Sequence, residues 1–289
     1  MTHEARSAEV TRVLRGVLWI NLSVFVLKVV ALVSSHALSV AAETVHSSLD
    51  AINNVFALWI ARLAGQEADE DHPYGHQKFE TLGAFVLVGF LSTTVFELVQ
   101  RAVGRMMSGG GGDVRATPLA LGVMAVSMAV GLAVSLWEAR RGRTLGSEIL
   151  LADAAHTRSD VLTSAAVLAG LFAIRAGYPQ ADPWITIAVA VLIARTGWRI
   201  VRDTVPVLVD ERAMDSKHIQ RVAESIGDVR AAYRIRSRGR AGEMFAELTI
   251  SVPAELDVRR AHEIADEVER RVGAELGARE VVVHVEPSG

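Results

Sequence analysis

Two stretches of this chain read acid-x-x-His-x-x-x-Asp. One is Glu43-Thr44-Val45-His46-Ser47-Ser48-Leu49-Asp50, and the other is Asp153-Ala154-Ala155-His156-Thr157-Arg158-Ser159-Asp160. In a helix, positions i, i+3 and i+7 share a face, so each stretch stacks one imidazole and two carboxyl groups in a row. Brought together from two helices, His46 and Asp50 with His156 and Asp160 make a shell of two nitrogens and two oxygens. That set suits tetrahedral Zn²⁺, which accepts both donor types at about 2.0–2.2 Å; an all-oxygen shell would suit Mg²⁺ or Mn²⁺ better. Glu43 and Asp153 fit either of two readings, as partners that orient the ligands or as acids at the water interface.

A second constellation follows in Asp69-Glu70-Asp71-His72-Pro73-Tyr74-Gly75-His76-Gln77-Lys78-Phe79-Glu80. Pro73 and Gly75 predict a turn across which Asp69, His72 and His76 converge on a metal. The alternative is an exposed polar loop. The chain has no Cys, so thiolate metal sites, disulfides and cysteine nucleophiles are excluded.

The elements that carry these residues are apolar. Of 289 residues 51% are hydrophobic and only 22% charged, which gives a mean hydropathy of +0.29. The net charge of −3 offers no basic field for a nucleic acid. A spanning helix needs about 20 mostly apolar residues. Six segments qualify, at about 14–34, 38–62, 79–103, 117–138, 150–174 and 183–203. The second and fifth hold the ionisable rows and are expected to score worst in a hydropathy window. An ionisable group near the bilayer centre costs at least ~2.5–3.5 kcal/mol, so such residues need partners or a water path. Lys28, in the first segment, is expected to snorkel or to pair with an acid.

Six spans put both termini on one side. Arg6, Arg12, Arg15, Arg62, Lys78, Arg140, Arg141 and Arg143 fall there, against Arg101, Arg105, Arg115 and Arg175 opposite, a bias that predicts cytoplasmic termini. The opening Glu4, Arg6, Glu9 and Arg12 do not read as a signal peptide. Gly109–Gly112 reads as a connector on the far side. His3, His36 and His218 read as surface residues. Residues 1–205 therefore form a transmembrane domain and 206–289 a tail. The tail alternates as helix (216–226), strand (229–238), strand (242–252), helix (256–275) and strand (279–285). This α-β-β-α-β order predicts a small α+β ferredoxin-like domain.

Taken together, the paired His-x-x-x-Asp rows, the His-Pro-Tyr-Gly-His-Gln-Lys-Phe-Glu stretch and the α-β-β-α-β tail resemble the cation diffusion facilitator family, from about Leu14 to Pro287. The resemblance implies a homodimeric, zinc-type metal/proton antiporter in a bacterial inner (cell) membrane, moving a divalent ion out of the cytoplasm. By position, His46, Asp50, His156 and Asp160 match the family's intramembrane transport site, and Asp69, His72 and His76 match its loop site. Lys78 and Asp210 match a salt-bridge pair that ties the loop to the start of the tail. His262, His284 and Glu286 stand where metal-binding tail residues are expected, while Tyr233 and Thr249 stand where some members carry His.

Two other readings compete. An intramembrane metallohydrolase would keep a coordination position open beside a general base, as in His-Glu-x-x-His, and no such motif exists here. A membrane-anchored metal sensor would need no ligands in two spans. Within the transporter reading, Fe²⁺, Co²⁺, Ni²⁺ and Cd²⁺ share His/Asp sites with Zn²⁺.

Overall fold

Six long helices stand where the apolar segments lie: α1 (His3–Ser35), α2 (Leu38–Ala64), α3 (Lys78–Met107), α4 (Pro118–Leu145), α5 (Glu148–Arg175) and α6 (Ala181–Leu208). The computed structural model describes residues 3–35, 38–107, 118–176, 178, 180–240 and 243–288. His36 and the Gly109–Gly112 connector lie outside these, and so do the side chains of Glu43 and His46. The chain divides into two compact units, residues 1–204 and 205–289.

In the first unit, α1 packs along α2, α4 along α5, and α3 against both α5 and α2. Leu14 of α1, Ala57 and Ile60 of α2, Leu87 of α3 and Ile149 and Leu150 of α5 close the main apolar core. Leu91 and Leu98 of α3 meet Ala190 and Ile193 of α6 in a second one. The outward faces are apolar too: Trp19, Trp59, Phe96, Phe172, Trp184 and Trp198 are all exposed. Helices apolar on both faces belong in lipid, which wets the outer face where water would not.

Among the described residues, three of the six helices are long and apolar enough to cross a membrane by composition alone, and these lie in α1, α3 and α6. Over their described residues α2, α4 and α5 do not meet that measure, and α2 and α5 are the two that carry the ionisable rows. Polar contacts hold the helix ends. Arg6 of α1 reaches Glu80 of α3 at 3.0 Å and the Leu145 carbonyl at 2.7 Å, and Ser147 donates to Glu80 at 2.5 Å. At the other end of α3, Arg105 pairs with the buried Asp182 of α6.

The second unit follows the predicted order: α7 (Ser216–Glu224), β1 (Ala231–Arg240), β2 (Glu243–Val252), α8 (Val258–Leu276) and β3 (Ala278–Pro287). The sheet runs β1-β2-β3, with β1 antiparallel and β3 parallel to β2. Alternation sets its two faces. Ala246, Leu248, Ile250 and Val281 pack with Ile219 of α7 and with Ile264, Val268 and Val272 of α8. Asp257 caps α8 by accepting from the Arg260 N–H at 2.8 Å, and Gly277 ends it at φ 60°.

Gly83 of α3 marks a close approach among the membrane helices. A Cβ there would clash with Ile60 Cγ2 of α2 and lie 3.0 Å from Ile149 Cδ1 of α5. Gly83→Val should therefore destabilise the helix bundle by ~1–3 kcal/mol, the usual cost of overpacking. Gly89→Val, where nothing lies within 4 Å of the added atom, should not. Thermal unfolding of the detergent-solubilised protein measures the difference.

Candidate metal centres

Asp50 of the first row meets His156 and Asp160 of the second across the α2–α5 boundary. The His156 Nε2 faces Asp50 Oδ1 of α2 at 3.7 Å and Asp160 Oδ2, one turn along its own helix, at 3.9 Å. One atom from each of Asp50, His156 and Asp160 lies within 4.8 Å of the other two, the spacing of ligands around a single ion. His156 is 7% exposed, and its Nδ1 has no hydrogen-bond partner among the described residues. His46 sits on α2 one turn before Asp50, and its side chain lies outside the described residues.

The three residues open onto a cavity of about 80 Å³, also lined by Asn21, Lys28, Ser47 and Asn54. A single water needs only ~10–15 Å³ on this measure, so the space holds an ion with water beside it. Sequence reasoning assigned no role to three of these lining residues. Lys28 does not snorkel: it is 4% exposed and donates to Ser47 Oγ at 2.7 Å inside the cavity wall. Asn54 donates to Asp153 at 3.1 and 3.3 Å and accepts from Asn21 at 2.5 Å. Asp153, one of the two acids left open by the sequence, is thus fully buried and tied to α2, away from any water interface. An Asn on an apolar helix was the available signal.

The loop residues also come together. Asp69 Oδ1 lies 3.1 Å from His72 Nδ1, and Oδ2 lies 3.4 Å from His76 Nε2, so the three form a second group with metal-ligand spacing. The turn that brings them round uses Gly75 at φ 86°, whose N–H donates to the His72 carbonyl at 2.9 Å. His76 is 3% exposed and stacks on Phe79. Its Nδ1 is 2.9 Å from the Glu67 carbonyl, which can only accept. The Nδ1 therefore carries the proton, and the Nε2 lone pair is aimed at Asp69. A lone pair facing a carboxylate needs a cation between them, either a proton or a metal ion. The His72 backbone N–H, donating at 2.6 Å, holds the Asp69 carboxyl below the usual carboxylate range, helped by the two imidazoles.

The tail residues do not all converge within one chain. His284 Nε2 lies 3.6 Å from Glu286 Oε1 on β3, on the sheet face turned away from the helices, with Thr249 opposite His284 on β2. His262 stands on the solvent side of α8, 76% exposed, with Asp266 at 3.7 Å. Since α8 packs on the other face, the sheet separates His262 from His284 and Glu286. Glu286 is further engaged by the Tyr233 hydroxyl and by Arg234 at 3.1 Å, and the Tyr233 bond holds its carboxyl below the ordinary range. Asp210 takes Arg238 at 3.4 Å.

Comparison with known proteins follows the same division. Residues 15–209 match the cation efflux transmembrane domain, and residues 212–288 match the cytoplasmic domain of cation efflux proteins. The uncharacterized transporter YdbO of Bacillus subtilis is 29% identical over 270 residues, covering 91% of this chain and 90% of that one. The cation-efflux pump FieF of Pectobacterium atrosepticum is 26% identical, covering 93% and 89%. The manganese efflux system protein MneS of Bacillus subtilis is 27% identical, covering 87% of each. Among solved structures, a MamM C-terminal domain matches at 27% identity and TM-score 0.24, over 25% of this chain and 92% of that one.

The lowered Asp69 pKa fixes a pH dependence. A carboxyl whose folded pKa is depressed adds stability above its unfolded value, near ~3.9, and loses it as pH falls through the folded one. The 69–76 turn should therefore persist through mild acid and open only below the ordinary Asp range. Carboxyl NMR shifts of labelled Asp follow the transition, and Asp69→Ala should abolish it.

Proposed function

The chain belongs to the cation efflux family, and from that premise we propose that it exports a divalent transition-metal ion, Zn²⁺ first among them, in exchange for protons. The family is one of membrane metal transporters. In this reading all six long helices span a cell membrane, both termini are cytoplasmic, and two copies work together by alternating access. The observation that carries it is the convergence of Asp50, His156 and Asp160 on one cavity inside the membrane unit. Buried charges without a ligand would be costly in a bilayer, and a dication turns that cost into affinity.

The donor types support Zn²⁺. Asp50, His156 and Asp160 supply two oxygens and one nitrogen, and His46, four residues before Asp50 in the sequence, is assigned as the fourth ligand of a tetrahedral shell. The manganese in the name of one relative favours Mn²⁺ as the second reading, with Fe²⁺, Co²⁺, Ni²⁺ and Cd²⁺ able to use the same atoms. Proton exchange follows from competition. Metal requires His156 neutral and both Asp ionised, whereas His156 Nε2 between two carboxylates is an equally good place for a proton. An acidic outer medium would then protonate the site and release the ion.

Asp69, His72 and His76 are assigned a second ion on the loop. The tail is assigned to dimerisation, and His284 with Glu286 to a regulatory ion. A site using His262 as well needs the second copy, since within one chain the sheet stands between them.

In proteoliposomes, an inward-directed proton gradient should accelerate Zn²⁺ movement in the opposite direction, and a protonophore should slow it. Asp160→Ala should cut transport at least about tenfold, as losing a charged ligand costs well over ~1.4 kcal/mol. Zn²⁺ flux indifferent to the pH gradient would leave a facilitated pathway, and Mn²⁺ moving faster than Zn²⁺ would reverse the choice of ion.

A further inference from the structure

One ionisable side chain of the membrane helices plays no part in the site above. Glu138 of α4 is fully buried, and neither of its oxygens has a hydrogen-bond donor among the described residues. What it meets is another carboxyl group: Asp153 of α5, equally buried, lies within hydrogen-bonding reach. Two ionised carboxylates are acceptors only, so this contact has nothing to hold it together. One proton between them turns it into a charge-assisted O–H···O bond.

The surroundings say which acid keeps that proton. Asp153 accepts from Asn54 Nδ2 at 3.1 and 3.3 Å, and it feels His156 on its own helix as well as the like charge of Asp50 on α2. Glu138 feels no described charged group other than Asp153. Of two acids equally withdrawn from water, Asp153 has a donor that an anion needs and Glu138 has none among the described residues. With the proton on Glu138 the bonds converge on Asp153: Glu138 would donate to it, Asn54 donates to it, and Asn21 donates to Asn54. They join α4, α5, α2 and α1 in one line. Asn21 and Asn54 line the metal cavity, and neither acid of the pair does.

We propose that Glu138 is a permanently protonated acid that positions Asp153, and through Asn54 fixes the register of α2 against α5 at the metal site, while taking no part in proton exchange. Charge counting agrees. The described ionisable residues around the cavity are Asp50, Asp160, Asp153 and Glu138 against Lys28 and His156. With a dication bound, His156 neutral and Lys28 charged, one proton on the pair makes the interior neutral, so the ion has no reason to expel it. Asp153 then remains a fixed negative charge one helical turn from His156, attracting the ion without ligating it.

The proposal rests on the metal/proton exchange reading for its transport arm and is independent of it in a spectroscopic arm. In proteoliposomes of the full chain, Glu138→Gln keeps the donor and should transport Zn²⁺ within about twofold of wild type, with the same response to pH gradient and the same number of protons per ion. Glu138→Leu removes the donor and should lower transport at least about tenfold. Its effect should appear mainly as a raised KM, because the ligands no longer meet in register. A Glu138→Gln variant that loses its pH response would overturn the proposal and make the pair a proton carrier. Normal transport by Glu138→Leu would equally overturn it. Infrared difference spectra need neither transport nor the Leu variant. A protonated-carboxyl band in the wild type, the one missing from Glu138→Gln, should survive addition of Zn²⁺, and its disappearance on metal binding would refute permanent protonation. If wild-type vesicles show no metal flux while the band persists, the exchange reading fails and the assignment of the proton to Glu138 stands.

Discussion

The hydrogen bond from Asn54 to Asp153 is the contact on which the membrane unit's chemistry depends. Asp50 lies one helical turn before Asn54, and His156 lies about one turn after Asp153. Fixing the lower pair at 3.1 Å therefore brings the upper pair face to face at 3.7 Å. A slide of α2 along α5 by one residue would move them apart by 1.5 Å and rotate them by about 100°. Apolar packing alone tolerates such a slide, since Leu and Ile side chains have no preferred partner. A buried amide and carboxylate do not, because leaving either unsatisfied in a low-dielectric interior costs about 1–3 kcal/mol or more. Specificity of helix register here comes from polar groups, and affinity between helices from the apolar ones.

The same low dielectric explains why the unit is arranged inside out relative to a water-soluble bundle. Several of its ionisable groups, among them Lys28, Glu80, Glu138, Asp153, His156 and Asp182, are buried, while Trp19, Phe96, Phe172 and Trp198 face outward. A cavity lined by Asp50, Asp160 and Lys28 provides the polar space that lets α2 and α5 carry charges that an isolated helix could not bring into lipid. Glycine serves the same end, since the missing side chain at Gly83 lets α2, α3 and α5 approach closely enough for their polar rows to meet.

The second unit obeys the ordinary rules of a domain in water. Its sheet has one apolar face covered by α7 and α8, and one open face on which Tyr233, Thr249, His284 and Glu286 sit together. That open face, rather than the helix layer, is where the polar residues of the three strands can cooperate. It explains why His284 and Glu286 have neighbours in common and His262 has none of them. In the loop, the turn at Gly75 and the Glu67 carbonyl orient two imidazoles towards one carboxylate before any ion arrives, which removes part of the ordering cost of binding.

Helical periodicity is local, so the sequence alone determined that His156 and Asp160 share a face, that six apolar segments would be helices, and that alternation in 245–252 and 281–285 would make strands. The spacing Asp-x-x-His-x-x-x-His with Pro and Gly inside it likewise determined the loop cluster, because all three side chains lie within one turn. Contacts between distant segments follow from how helices and strands pack, which no local period encodes. Only the tertiary structure therefore decided that Asp153 turns to Asn54 and Glu138, that Lys28 points into the cavity instead of snorkelling, and that a sheet stands between His262 and its expected partners. Glu138 was the least legible residue of all. It stands seven residues before the end of its helix with no motif around it, and only the packing of α5 along α4 buries it.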